Sequence, residues 1–147
     1  MRVLIQRVSR AEIWVAKSLH ERMNTGLVAL LGIGREDDQQ DIEWLVRKMM
    51  QMRLFADAQG AMNQSLLDVE GSILVVSQFT LYARTKKGNR PSFVDAAPPE
   101  QSEPMYHRFV EAVRKWVDDS RLLTGVFGAH MEVVLVNDGP VTIWLDS

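Results

Sequence analysis

Apolar and polar positions change period several times along the chain, and each change marks an element. Residues 2–8 predict a short strand, with Val3 and Ile5 on one face and Leu4 on the other. Residues 11–15 predict a second strand, in which Ile13 and Val15 alternate with Glu12 and Trp14; the polar stretch 16–26 predicts a turn or sheet edge. Residues 27–33 are almost uninterruptedly apolar, as expected of a strand covered on both faces. Glu36, Asp37 and Asp38 then supply the negative charge that favours a helix start. From Asp41 onward, Ile42, Leu45, Val46, Met49 and Met52 fall at helical spacing, which predicts an amphipathic helix packed on a sheet.

Residues 56–71 predict loop and turn around a partly buried Leu66 and Leu67. The clearest buried strand is predicted over 72–81, followed by a long loop with Pro91, Pro98, Pro99 and a burst of positive charge. A second helix is expected from about Ser102, with Pro104 in its first turn and Met105, Phe109, Ala112, Val113 and Trp116 on its apolar stripe. Residues 131–136 and 141–145 predict two strands joined by a hairpin at Asn137-Asp138-Gly139-Pro140. Strands alternating with two amphipathic helices give an α/β fold, expected as a single domain over 1–147.

Composition narrows the chemistry. The chain has 147 residues, 46% of them hydrophobic, a net charge of −2 and no cysteine. That length supports a core without staples. The missing cysteines exclude disulfide frameworks, thiolate metal sites and cysteine nucleophiles. Apolar runs are too short for a bilayer span or a secretory signal, so a cytoplasmic protein without a membrane partner is expected. His20, His107 and His130 form no metal-binding spacing, and no nucleophile elbow or phosphate loop occurs. Gly32 and Gly34 follow a strand but lack the third glycine of a dinucleotide fingerprint. No metal and no cofactor is expected.

Three segments carry more than a packing role requires. Ser77-Gln78-Phe79-Thr80 places polar groups at the end of the most apolar strand, where ligands of sheet proteins often bind; a strand leaving the core with its polar groups locally satisfied is the competing reading. Arg84, Lys86, Lys87 and Arg90 concentrate four cations in an acidic chain, which fits either a solvated surface or a phosphate-binding patch. Asn137-Asp138-Gly139-Pro140-Val141-Thr142 fits a turn, and its Gly–Pro bond is of the kind that admits a cis peptide.

Together the segments resemble the D-aminoacyl-tRNA deacylase family. The resemblance rests on Ser77-Gln78-Phe79-Thr80-Leu81-Tyr82-Ala83 and Asn137-Asp138-Gly139-Pro140-Val141-Thr142, with Lys87-Gly88-Asn89-Arg90-Pro91-Ser92-Phe93 between them. Gly125-Val126-Phe127-Gly128-Ala129, Met62-Asn63-Gln64-Ser65-Leu66-Leu67-Asp68 and both ends of the chain extend it to the full length. Residues 16–24 depart from the family's glycine-bearing hairpin. The resemblance implies a three-layer α/β/β domain that acts as a homodimer and hydrolyses the ester of a D-amino acid, or glycine, on the terminal ribose of tRNA. It implies a catalytic motif at Ser77, Gln78, Phe79 and Thr80, and a pocket lined by Ala97, Phe127, Ala129 and Met131. It also implies a cis Gly139–Pro140 that reaches into the partner's pocket and selects handedness. Of two mechanisms, Thr80 as a nucleophile or water activated with help from the ribose 2′-OH, the second is expected, because no acid–base residue stands near Thr80 in the sequence. Arg84, Lys86, Lys87 and Arg90 are then the expected tRNA phosphate contacts. A non-catalytic RNA- or nucleotide-binding module is the alternative that the basic loop alone would permit.

Overall fold

The computed structural model describes residues 1–147. Its strands are β1 (Arg2–Val15), β2 (Ser18–Met23), β3 (Gly26–Gly32), β4 (Phe55–Ala56), β5 (Met62–Gln64), β6 (Ser72–Ser77), β7 (Leu122–Thr124) and β8 (Met131–Asp146), and its helices are α1 (Gln39–Gln51) and α2 (Pro99–Arg114). Six strands form one sheet in the order β2-β1-β3-β6-β7, with β8 along the other side of β1, while β4 and β5 form a small ribbon. The pairs β3–β6 and β6–β7 are parallel, and α1 and α2 supply the crossovers that parallel strands need.

The two strands expected at 2–8 and 11–15 are one. β1 pairs with β3 along Arg2–Val8, then with β2 along Ala11–Val15, and with β8 throughout. Its first half therefore belongs to the central layer, and its second half folds with β2 over the face away from the helices. Two cores follow from this fold-back. Val3, Ile5, Leu27, Ala29, Leu31, Ile73 and Val75 face Ile42, Leu45, Met49, Phe109 and Val113 of the helices. The alternate positions Val28, Leu74 and Val76 face Val8, Ala11, Ile13 and Met23 on the opposite side. Strict period-two alternation in β3 and β6 thus serves both sides, which gives the α/β/β layering.

The polar stretch 16–26 is the expected turn and sheet edge: Ala16 and Lys17 make the turn at positive φ (49° and 66°) without a glycine, and β2 is the outer strand. Three local expectations need correction. The strand expected over 72–81 stops at Ser77, and Phe79–Tyr82 wind into a 3₁₀ turn. Helix α2 begins at Pro99, three residues early, because a proline suits its first turn; Pro104 lies in the helix interior and forfeits one backbone bond there. The hairpin expected at 137–140 does not exist. Both flanks of that segment pair with β1 in one direction, Gln6 opposite Thr142 and Val8 opposite Asn137, so Asp138, Gly139, Pro140 and Val141 bulge outward against Arg7 alone. The acidic start of α1 is observed as a capping box: Asp38 accepts from the Gln40 and Asp41 amides, and Asp41 accepts from the Asp38 amide. No helix is long and apolar enough to cross a membrane.

Candidate active site

The site is built where β6 ends. Gln78 still donates its amide to the Leu31 carbonyl (2.7 Å), after which the chain turns sharply into Phe79–Tyr82. Gly32 and Gly34 make room for that turn. A Cβ on Gly34 would lie 2.7 Å from the Tyr82 hydroxyl, and one on Gly32 would lie 3.1 Å from the Gln78 carbonyl. These two glycines are thus explained by close packing. The turn leaves the Phe79 and Thr80 amides without helical acceptors, so both are free to donate.

A cleft of about 640 Å³ opens beside this turn. Ser77, Gln78 and Phe79 form one wall, Ala97 and the start of α2 another, and Phe127, Ala129 and Met131 a third. The sequence-predicted pocket residues therefore converge although they lie far apart in the chain. Behind the third wall, Tyr106 of α2 donates its hydroxyl to the Val75 carbonyl (2.9 Å), and its ring lies 5.7 Å from that of Phe127. Burial pushes the Tyr106 phenol up to about 12, so it stays a neutral donor that ties α2 to β6.

Thr80 does not line the cleft, and its hydroxyl accepts a hydrogen bond from the Gln78 side chain. His130 is the one imidazole on the cleft wall; it is exposed and makes no hydrogen bond that would orient it. No three His, Asp or Glu side chains come together as a metal site would require.

Gly139 and Pro140 lie outside this cleft, on the bulge of β8, and their peptide bond is cis. The bulge is closed at its base by Asn137, whose side-chain amide donates to the Arg7 carbonyl (2.9 Å) and the Val141 carbonyl (3.0 Å). Arg7 braces its outer side, donating to the Asp138 carbonyl (3.2 Å), pairing with the Asp138 carboxylate (3.1 Å) and reaching the Leu54 carbonyl. Gly139 sits at φ 127°, and a Cβ there would lie 2.8 Å from the Val141 side chain and 3.1 Å from the Arg7 guanidinium. Only glycine suits this position.

The basic segment forms a separate hairpin whose base is a bridge between Arg84 and Ser92. Arg84 is engaged with both oxygens of Asp95, so its charge is locally balanced. Lys86, Lys87 and Arg90 are exposed and make no ion pair. Arg7, Tyr106 and Phe93 are the site residues that the sequence reading missed. Each acts through partners distant in the chain, and neither periodicity nor spacing marks them.

Comparison with known proteins places the chain in a family. A family profile described as D-Tyr-tRNA(Tyr) deacylase matches residues 4–146. The chain is 54% identical over its full length to the D-aminoacyl-tRNA deacylase of Thermomicrobium roseum, covering 94% of that protein. It is 50% identical over its full length to the D-aminoacyl-tRNA deacylase of Cytophaga hutchinsonii, covering 97% of it. Among solved structures, that of a c-Myc DNA Unwinding Element Binding Protein superposes with a TM-score of 0.95 at 42% identity, covering 100% of this chain and 99% of the other. A probable eukaryotic D-amino acid tRNA deacylase shares the fold, with a TM-score of 0.83 at 20% identity over 99% of this chain and 98% of the other. These relatives define a hydrolase, and the open cleft at the end of β6 is its candidate site. The chain belongs to the D-Tyr-tRNA(Tyr) deacylase family.

Proposed function

We propose that this chain hydrolyses the ester between a D-amino acid and the terminal ribose of tRNA, releasing both, in the cytoplasm and without a cofactor. One observation carries the reading: a full-length family match whose motif residues Ser77, Gln78 and Phe79 meet Phe127, Ala129 and Met131 around one cleft. In this reading the free Phe79 and Thr80 amides stabilise an oxyanion on the ester carbonyl, supported by the absence of helical acceptors for either and by the position of Phe79 on the cleft wall. The attacking water draws help from the ribose 2′-OH. In support, Thr80 is held by Gln78 outside the cleft and has no adjacent base, while nothing fixes His130 as one.

Selectivity belongs to the bulge. The carbonyls of Gly139 and Pro140, from a second copy of the chain, hold the substrate amino group and leave no space for an L side chain. Exclusion suits a substrate with variable side chains, since a side-chain pocket separates homologues by only about 1–3 kcal/mol per methylene. Glycine, having no side chain, escapes such exclusion, and its ester is a second substrate. Support for the homodimer comes from β8. It is an edge strand, and Val133, Val134, Val136 and Trp144 expose apolar side chains along it.

A nucleic-acid-binding module without catalysis is the second reading, favoured by the basic hairpin and by the DNA binding for which the 42% identical protein is named. One assay separates the two. Chelator-treated protein is incubated with D-tyrosyl-tRNA and L-tyrosyl-tRNA. Selective release of D-tyrosine is the expected result; binding without release would replace the enzyme with the module, and equal release of both enantiomers would remove the exclusion mechanism.

A further inference from the structure

The cleft opens onto a pair of aromatic rings that the proposed ester hydrolysis does not use. Phe79 leaves 56% of its surface exposed although it sits at the site. Phe93 meets it edge to face, with ring centroids 5.0 Å apart and planes at 75°. Both line the cleft, so the pair forms its lip. Phe93 directly follows Ser92, which is bonded in both directions to Arg84 (2.7 and 3.0 Å), so the pair also stands at the root of the basic hairpin. Lys86, Lys87 and Arg90 extend from that root as unpaired cations. Arg35, also on the cleft wall, donates to the Val94 carbonyl (2.7 Å) and fixes the segment beyond Phe93.

An exposed ring beside unpaired cations matches the chemistry of single-stranded nucleic acid, in which flat bases alternate with phosphates. A second copy of the chain fits poorly here, because a two-fold contact would set these cations against themselves. We infer that Phe79 and Phe93 form a stacking platform for the base just before the terminal adenosine, with the adjoining phosphates directed to Lys86, Lys87 and Arg90. This rests on the deacylase reading and adds a subsite to it. The terminal nucleotide occupies the cleft, and the preceding base packs on its lip.

The test uses the whole protein and an uncharged RNA minihelix with a single-stranded 3′ tail, with binding read by fluorescence anisotropy. Phe93→Leu, and separately a minihelix that is abasic at the penultimate nucleotide, should each weaken binding at least about fivefold. Together they should weaken it no more than either alone, because both remove one contact. Equal binding of the abasic and intact minihelices by the unaltered protein overturns the platform, and that arm decides even if the variant fails to fold. Release of D-tyrosine from the charged minihelix tests the parent reading separately. Base-sensitive binding without release keeps the platform and overturns the deacylase, and base-insensitive binding with release does the reverse.

Discussion

Thr80 carries a hydroxyl with no base bonded to it. Its oxygen accepts from the Gln78 side-chain amide and Thr80 does not line the cleft, so the proposed function gives the hydroxyl no catalytic role. Thr80→Ala should therefore lower kcat by less than about tenfold, a barrier change under about 1.4 kcal/mol, as should His130→Ala. A loss of several decades with the fold intact would reinstate a nucleophile or base. At this scale the sequence was informative where chemistry is local. Ser77, Gln78 and Phe79 stand in one motif, and Phe127, Ala129 and Met131 in one segment. Arg7 escaped it because its acceptors Leu54 and Asp138 lie far along the chain. Phe93 escaped because an aromatic residue beside a serine in a loop carries no period.

Elements were legible by their apolar rhythm and misjudged where a turn signal had two solutions. Asp-Gly before proline fits a hairpin, yet β8 spends it on a bulge, because β1 is long enough to pair with both flanks. The loop before β6 shows the opposite, a turn fixed by one carboxylate. Asp68 accepts from the Ser65 amide (2.8 Å) and hydroxyl (2.7 Å), and this closes the turn that buries Leu66. The Ser65 amide, then its hydroxyl, holds the Asp68 carboxyl below its ordinary value. A depressed folded value stabilises the protein above the unfolded value and stops doing so as pH falls through the folded one. Asp68→Asn should thus lower Tm by a constant amount from neutral pH down to about pH 5, and the gap should close below about pH 4. Thermal scans across pH check this; a gap that persists in acid would refute it.

For the whole molecule, the decisive fact is that the cleft and the Gly139–Pro140 bulge stand apart in one chain. The sequence contains both motifs and could not say that they fail to meet, because that depends on where β1 carries them. If a second copy supplies the bulge, two inactive variants can repair each other. Gly139→Val damages only the bulge and Ala129→Trp only the cleft, so co-expression should restore roughly a quarter of wild-type sites through mixed dimers. Mixed dimers without activity would show that each chain completes its own site. β1 also binds the fates of the two cores. Slipping it by one residue would turn Val3, Ile5, Ala11 and Ile13 outward together, so neither layer has a register of its own to retain. Heat should then melt the helical side and the strand-only side in one step, with no half-folded survivor to expose the cleft.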